Sequence, residues 1–396
     1  MSSVYRRRCD ACFDPVREAV VGPQQPAARA TGARIRGFDW LRGIAVLVMI
    51  QTHALGLLRP ELRSGLLWTR LQWVDGLVAP AFIFSAGFSL ALVQVRGAAA
   101  GMRAVRVRKT LRRLGEVLLV ATLLNWMWFP IFREPRWIFR IDILHCIGLS
   151  LLLALPIFAL LSPPPRLLSW VSLALAAVVF GVSPFAEHVR GPLAALANGS
   201  TESVFPLLPW GGYVYLGASA GAVAAYDPRK LPWWIGGLLV AGAVLWIATP
   251  QLAAVYPPHQ FWVTNPANHA SRWTQVCALL LVLFALERSP AGARAVSRIP
   301  FVELFATSSL AGYFFHQMLL FYRIAGFSFE ARWGNSCSWP KYWLVLVLLI
   351  AATAVLTWAM DRVYSRLWNP LWTRLQKVDS SATGAPSQRG QARHAP

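Results

Sequence analysis

Ten blocks of about 17 to 22 mostly apolar residues recur along this 396-residue chain, near 38–58, 74–95, 114–132, 141–161, 166–186, 205–225, 233–249, 273–287, 300–322 and 341–360. Each is long enough to cross a hydrocarbon core of about 30 Å as a helix. Lipid offers no partner to an open backbone N–H or C=O, so a chain built this way is restricted to an all-α fold, a polytopic transmembrane helix bundle of about ten spans. Composition agrees: only 14% of the residues are charged, where a soluble domain averages about 25%.

The net charge of +21 points to a membrane surface and not to nucleic acid, because of where the charge lies. Lys and Arg concentrate at the N-terminal segment, at Arg96 to Arg113 and at the C-terminal segment, which share one side of a ten-span bundle. The positive-inside rule then places both termini in the cytoplasm. The expected division is a basic disordered tail over 1–33, a transmembrane domain over 34–377 and a second disordered tail over 378–396. Arg6-Arg7-Arg8 is followed by no apolar run, so the first span is the expected targeting signal, and a bacterial inner membrane is the expected location. The segment Pro250 to Arg272, with Pro257-Pro258 and Asn265-Pro266, reads as an irregular external loop.

Five cysteines are dispersed, and Cys9 and Cys12 form a lone CxxC with no second pair, so no metal is expected. Walker, GxGxxG and HExxH patterns are absent, which removes the usual motor of ATP-driven transport.

The spans themselves carry ionisable groups. An ion at membrane depth costs roughly 2.5 to 3.5 kcal/mol on insertion scales, so each needs a reason. At about 100° per residue, His53 falls about 20° from Arg42 and about 40° from Asp39, so one face of the first helix holds all three. With the termini inside, His53 sits near the outer end of that helix. Asp75 opens the second span and Asp142 the fourth, with His145 three residues on, and His316 lies past the middle of the ninth. Ser309, Gly312, Tyr313 and His316 form a narrow small-and-polar stripe. These side chains from four spans converge on the outer half of the membrane.

Structural readings compete at several positions. His145 suits a hydrogen bond to a neighbouring helix, Asp75 a helix N-cap, and Asp39 with Arg42 an interfacial ion pair. His188, His259 and His269 read as solvated loop residues. His53 and His316 are harder to explain by packing alone.

Several of these positions fall into an ordered series: Arg36-x-x-Asp39-x-x-Arg42-Gly43-Ile44-Ala45, Asp75-x4-Pro80-x-Phe82-x-Phe84-x-x-Gly87, Ile143-Leu144-x-x-Ile147-Gly148, Pro209-Trp210 and Ser309-x3-Tyr313-x-x-His316. Taken together they resemble the catalytic-domain family of heparan-α-glucosaminide N-acetyltransferase and its bacterial relatives. The resemblance implies a membrane enzyme that takes acetyl from acetyl-CoA on the cytoplasmic side and delivers it to an acceptor on the other, with His316 catalytic. The position of His53 is typically asparagine in the lysosomal enzyme, which has a histidine in the following loop. Here residues 55 to 72 hold no histidine, and the first span is also similar to that of the acyltransferase-3 family.

Acyl transfer requires a base for the acceptor, and histidine suits the task near neutral pH. The expected catalytic set is His316 and His53, with Asp142 or Asp75 as orienting carboxylate. Arg42, with Asp39 and Arg36, is the expected donor-binding group, aided by the basic cytoplasmic loop expected from Arg96 to Arg113. Expected partners are the lipid bilayer, acetyl-CoA, a carbohydrate or glycolipid acceptor and, in a homodimer, a second copy. The alternative reading is a proton-coupled transporter or flippase using the same polar stripe.

Overall fold

A computed structural model describes residues 35–128, 140–161, 164–191, 193–199 and 203–368. The two expected tails lie almost wholly outside them. The described residues form a helical bundle with no strand beyond isolated bridges. The main helices are α1 (Arg36–Ala54), α2 (Gly65–Asp75), α3 (Val78–Ala99), α4 (Arg103–Trp128), α5 (Ile143–Pro156), α6 (Pro165–Ala186), α7 (Gly212–Tyr226), α8 (Leu231–Ile247), α9 (Pro266–Arg288), α10 (Val302–Thr307), α11 (Ser309–Phe321) and α12 (Trp339–Val363).

Within the described residues every apolar block of the sequence falls mainly on helix. Among the described residues six helical segments are long and apolar enough to cross a membrane: Arg36–Leu57, Gly65–Ala99, Pro165–Ala186, Pro228–Ile247, Pro266–Arg288 and Trp339–Arg366. The others fall short for local reasons. The first turns of α4 are basic, α5 and α7 are short, and the ninth block is broken at Ser308 (φ −117°, ψ 39°) into α10 and α11. The protein is an all-α, polytopic integral membrane protein.

Two local expectations are corrected. The stretch from Arg103 to Arg113 is not a loop but the start of α4. Arg and Lys are good helix formers, so a basic stretch beside an apolar one simply prolongs the helix. The expected loop from Pro250 to Arg272 also contains helix: Thr249–Val255, Phe261–Thr264 and the first turns of α9. Asn265-Pro266 was read as a turn but is an N-cap followed by proline at the first helical position, the Asn265 side chain accepting from the Ala267 amide. His269 is consequently buried in α9, hydrogen-bonded to the Tyr213 hydroxyl and the Val263 carbonyl, and is not a solvated loop residue.

Contacts fix which helix ends meet. The backbone amides of Arg36 and Gly37 donate to the Glu287 carboxylate, so α1 begins where α9 ends. Arg112 donates to the Tyr364 hydroxyl, and Ser308 to Asp361, so the starts of α4 and α11 lie beside the end of α12. This is the basic end of the bundle. At the opposite end Tyr342 donates to the Gln51 carbonyl, and Asn125 to that of Arg140.

Close backbone approach holds α3 against α7. A Cβ on Gly217 would strike the Phe84 carbonyl oxygen, one on Gly221 that of Phe88 and one on Gly87 that of Val214. Without a hydrophobic drive between helices in lipid, such small-residue packing supplies much of the cohesion. The Phe38 ring of α1 then stacks on Phe88 at 3.5 Å between centroids, tying α1 to this pair.

Gly217→Leu should therefore lower the melting temperature and the yield of monodisperse protein, at a cost of about 1–3 kcal/mol or more. Gly237→Leu on α8, with open space around it, should change neither. Equal behaviour of the two variants in a detergent melting assay would contradict this account of α3–α7 packing.

Candidate active site

Helix α1 carries the site, and its register against α10 and α11 is set by three contacts. Gly43 lets the α1 backbone approach the Val302 carbonyl, where any Cβ would clash. Next along, Gly312 packs towards Val46 and Phe305. Ten residues and about 15 Å beyond Gly43, His53 meets His316: Nδ1 of His53 lies 2.9 Å from Nε2 of His316, with the rings stacked at 5.1 Å and 12°. His316 is fully buried and His53 half-buried.

Hydrogen bonds decide the tautomers. Nδ1 of His316 is 3.0 Å from the Gly312 carbonyl, which can only accept, so that nitrogen carries the proton. In the neutral pair Nε2 of His316 is then an acceptor, and Nδ1 of His53 donates to it. That leaves the lone pair of His53 on Nε2. The Gln317 amide nitrogen lies 3.2 Å from both partners and can donate to Nε2 of His316.

Tyr313, one turn before His316, sets its ring edge-on to that imidazole at 5.4 Å and donates to Asp142 Oδ2 at 3.2 Å. Oδ1 of Asp142 accepts from the Ile143 amide at 2.8 Å, capping α5. Asp142 thus serves both as a cap and as the carboxylate behind Tyr313.

Asp75 behaves otherwise. It ends α2 and does not open α3, whose cap position is Leu77, so the N-cap reading fails. Both its oxygens are buried without a hydrogen bond among the described residues. The carboxyl lies near the Thr52 hydroxyl and Tyr342, and the buried Gln51 amide nitrogen is also unpartnered. Asp75 is therefore grouped with Gln51 and Thr52, the neighbours of His53 on α1. His145 does not join: its Nε2 faces the Thr122 hydroxyl at 3.4 Å, as a helix–helix contact would.

A cavity of about 340 Å³ runs along the same face of α1. Arg42, Arg106, Lys109 and Arg113 line it near the basic end, and Met49, Ile143, Leu144 and Tyr313 line it farther in. Met49 is one turn from His53, so the lining reaches within a turn of the paired imidazoles. Arg42 is held by Asp39 at 2.6 Å. Arg36 and Asp39 are not among the lining residues, and the Arg36 backbone amide donates to Glu287.

Sequence reasoning named both histidines, both carboxylates, Arg42 and Tyr313. It missed Gln317, which follows a histidine on an apolar helix, a signal that was available. It also missed Gln51 and Thr52, which directly precede His53 in the first span. Among the described residues no group of three or more His, Cys, Asp or Glu could hold a metal ion.

A polytopic helical membrane protein whose polar helix face carries paired histidines beside a basic-mouthed cavity has the build of a membrane enzyme. The chain matches the family described as heparan-alpha-glucosaminide N-acetyltransferase, catalytic, over residues 34–261, more than half its length. It belongs to that family, which makes it a transmembrane acyltransferase. No curated protein matches it. The family match ends before His316, so that residue enters the site through its contact with His53.

The neutral-pair geometry predicts that His316 holds its proton on Nδ1. Nitrogen NMR of histidine-labelled protein, assigned by comparison with His316→Gln, should show this tautomer. Protonation of His316 on Nε2 alone would contradict the bond to Gly312.

Proposed function

We propose that the protein transfers an acetyl group from cytoplasmic acetyl-CoA to a hydroxyl or amine of an extracytoplasmic acceptor, most simply a sugar or glycolipid. One observation carries the reading: a cavity on one face of α1 runs from four cationic side chains to Met49 and Tyr313, and Tyr313 sets its ring against one of two hydrogen-bonded histidines that themselves lie just beyond the lining. The cations suit the phosphates of CoA, which they would hold at the basic end. The largely apolar stretch beyond suits the uncharged pantetheine arm, and in this reading the thioester comes to lie near Tyr313 and His53.

There His53 Nε2, the lone pair left by the tautomers, takes the proton of the acceptor as its oxygen or nitrogen attacks the thioester carbonyl. His53 becomes an imidazolium whose Nδ1–H stays bonded to His316, and the fixed Gly312 carbonyl prevents His316 from turning away. The Asp142 carboxylate, behind Tyr313, offers compensating negative charge. Gln317, or Tyr313 turned from Asp142, is placed to donate to the tetrahedral oxyanion. Collapse of that intermediate breaks the C–S bond, and the departing thiolate regains a proton from His53. Asp75, with unsatisfied oxygens beside Thr52, is the group to accept a hydrogen bond from the acceptor. Arg42 is the donor-binding residue and Asp39 its positioning partner. Arg36 has no direct part in this scheme. A bacterial inner membrane, with both termini inside, gives the required sidedness.

His53→Ala and His316→Ala should each lower transfer from labelled acetyl-CoA in intact membranes by about 10²- to 10⁴-fold. Because the two act as a pair, the double variant should be little worse than the worse single one. Wild-type rates in both single variants would end the proposal. Reversing one mouth charge, Lys109→Glu, should raise the apparent KM for acetyl-CoA and leave kcat nearly unchanged. It should also diminish the rise in melting temperature that CoA gives the wild type by linkage. A transporter would move solute without CoA and show no such stabilisation.

A further inference from the structure

A second cavity, of about 570 Å³, lies at the end of the bundle opposite the basic mouth, between α2, α8 and α9. It is lined by Gln72 and Trp73 of α2, Trp246 of α8, Trp262 of the preceding short helix, and Arg272 and Gln275 of α9. It is separate from the reaction centre. Trp73 and Asp75, two residues apart on a helix, project about 160° from each other, so α2 turns its carboxylate towards Thr52 and its indole towards this cavity.

Three features define what would fill it. The Arg272 guanidinium has no hydrogen bond or ion pair among the described residues. Its contact is the Trp210 ring, 5.6 Å from Cζ to centroid. The Gln275 amide oxygen is buried and accepts no hydrogen bond. The three indoles at the rim are 41–69% exposed, and Trp262 is held in place by the Asn268 amide donating to its carbonyl at 2.7 Å. An unpaired cation calls for an anion, an unsatisfied oxygen for a hydroxyl donor, and indole faces for the C–H face of a ring. Tryptophans alone would be an interfacial belt, but a belt has no use for a guanidinium and an amide beneath it.

We propose that this cavity binds a hydroxylated ring bearing an anionic group, an acidic sugar or sugar phosphate, either free or as the headgroup of a lipid in the outer leaflet. The site lies across α2 from the histidines, so it does not rest on the acyltransferase reading. Binding itself is measured without CoA, so a failure of acetyl transfer would leave it standing, and the reverse.

The test uses full-length protein in phosphatidylcholine nanodiscs, with melting followed under three additions: phosphatidylinositol in the bilayer, soluble glucose 1-phosphate, and phosphatidylglycerol as an anionic lipid without a ring. Stabilisation by phosphatidylinositol beyond that by phosphatidylglycerol identifies a lipid-borne ligand, and stabilisation by glucose 1-phosphate a soluble one. Arg272→Gln should weaken either effect at least about tenfold. Trp73→Ala, at a position that is 57% exposed, should weaken it too. The proposal is overturned if neither ring compound stabilises the protein, if phosphatidylglycerol does as well as phosphatidylinositol, or if both variants respond like the wild type.

Discussion

A membrane helix that carries Asp39, Arg42, Gln51, Thr52 and His53 cannot turn that surface to hydrocarbon, and the arrangement of the bundle around α1 follows from this constraint. Most of its polar groups meet protein. Asp39 binds Arg42, His53 binds His316, the Thr52 hydroxyl donates to the Val48 carbonyl and the Gln51 backbone carbonyl accepts from Tyr342. The Gln51 side-chain nitrogen has no partner among the described residues. The helices supplying these partners and neighbours, α11 and α12, come from the far end of the sequence, so the first span can be satisfied only after the last ones have docked. Buried polar contacts of this kind add specificity more reliably than stability, since a wrong register would strand several of them at once.

Register is what the histidine pair needs, and it is set by shape and not by charge. The missing Cβ of Gly43 seats α1 on the Val302 carbonyl, and the break at Ser308 lets α11 leave the direction of α10. From these two points the helical rise carries His53 and His316 to the same depth. The Arg42-Gly43 pair therefore joins two functions in adjacent residues: the arginine lines the cavity and the glycine sets the distance at which α1 and α10 pack.

Much of this was legible in the chain. The apolar blocks fall on helices, though not one to one, because hydrocarbon length and backbone satisfaction act on composition while breaks such as that at Ser308 depend on packing. The common face of Asp39, Arg42 and His53 follows from helical periodicity and lies along the cavity. Long-range geometry was not legible. Nothing in the sequence says that Asp75 closes a separate short helix, that Gln317 bridges two imidazoles, or that His269 is buried beneath Trp210. Local rules misled where two of them overlap. Asn265-Pro266 is both a turn signal and a helix start, and tertiary packing on α8, where Trp273 donates to the Leu238 carbonyl, favours the helix. The basic run before the third block was read by charge as a loop, although arginine and lysine extend a helix readily.

The two carboxylates illustrate how burial separates chemically alike groups. Asp142 is engaged on both oxygens, by the Ile143 amide and the Tyr313 hydroxyl, and such a group is suited to hold charge in a fixed place behind the histidines. Asp75 is buried with neither oxygen engaged. An unmade hydrogen bond of this kind costs about 1–3 kcal/mol or more for a charged group, a penalty that packing elsewhere must offset and that a bound acceptor would relieve. If the acceptor supplies the missing donor, that relief becomes part of its binding energy, available when its nucleophilic atom stands beside His53. The folded state then holds one carboxylate for the charge that develops during reaction and another for the molecule that starts it, on opposite sides of the same imidazole pair in function if not in distance.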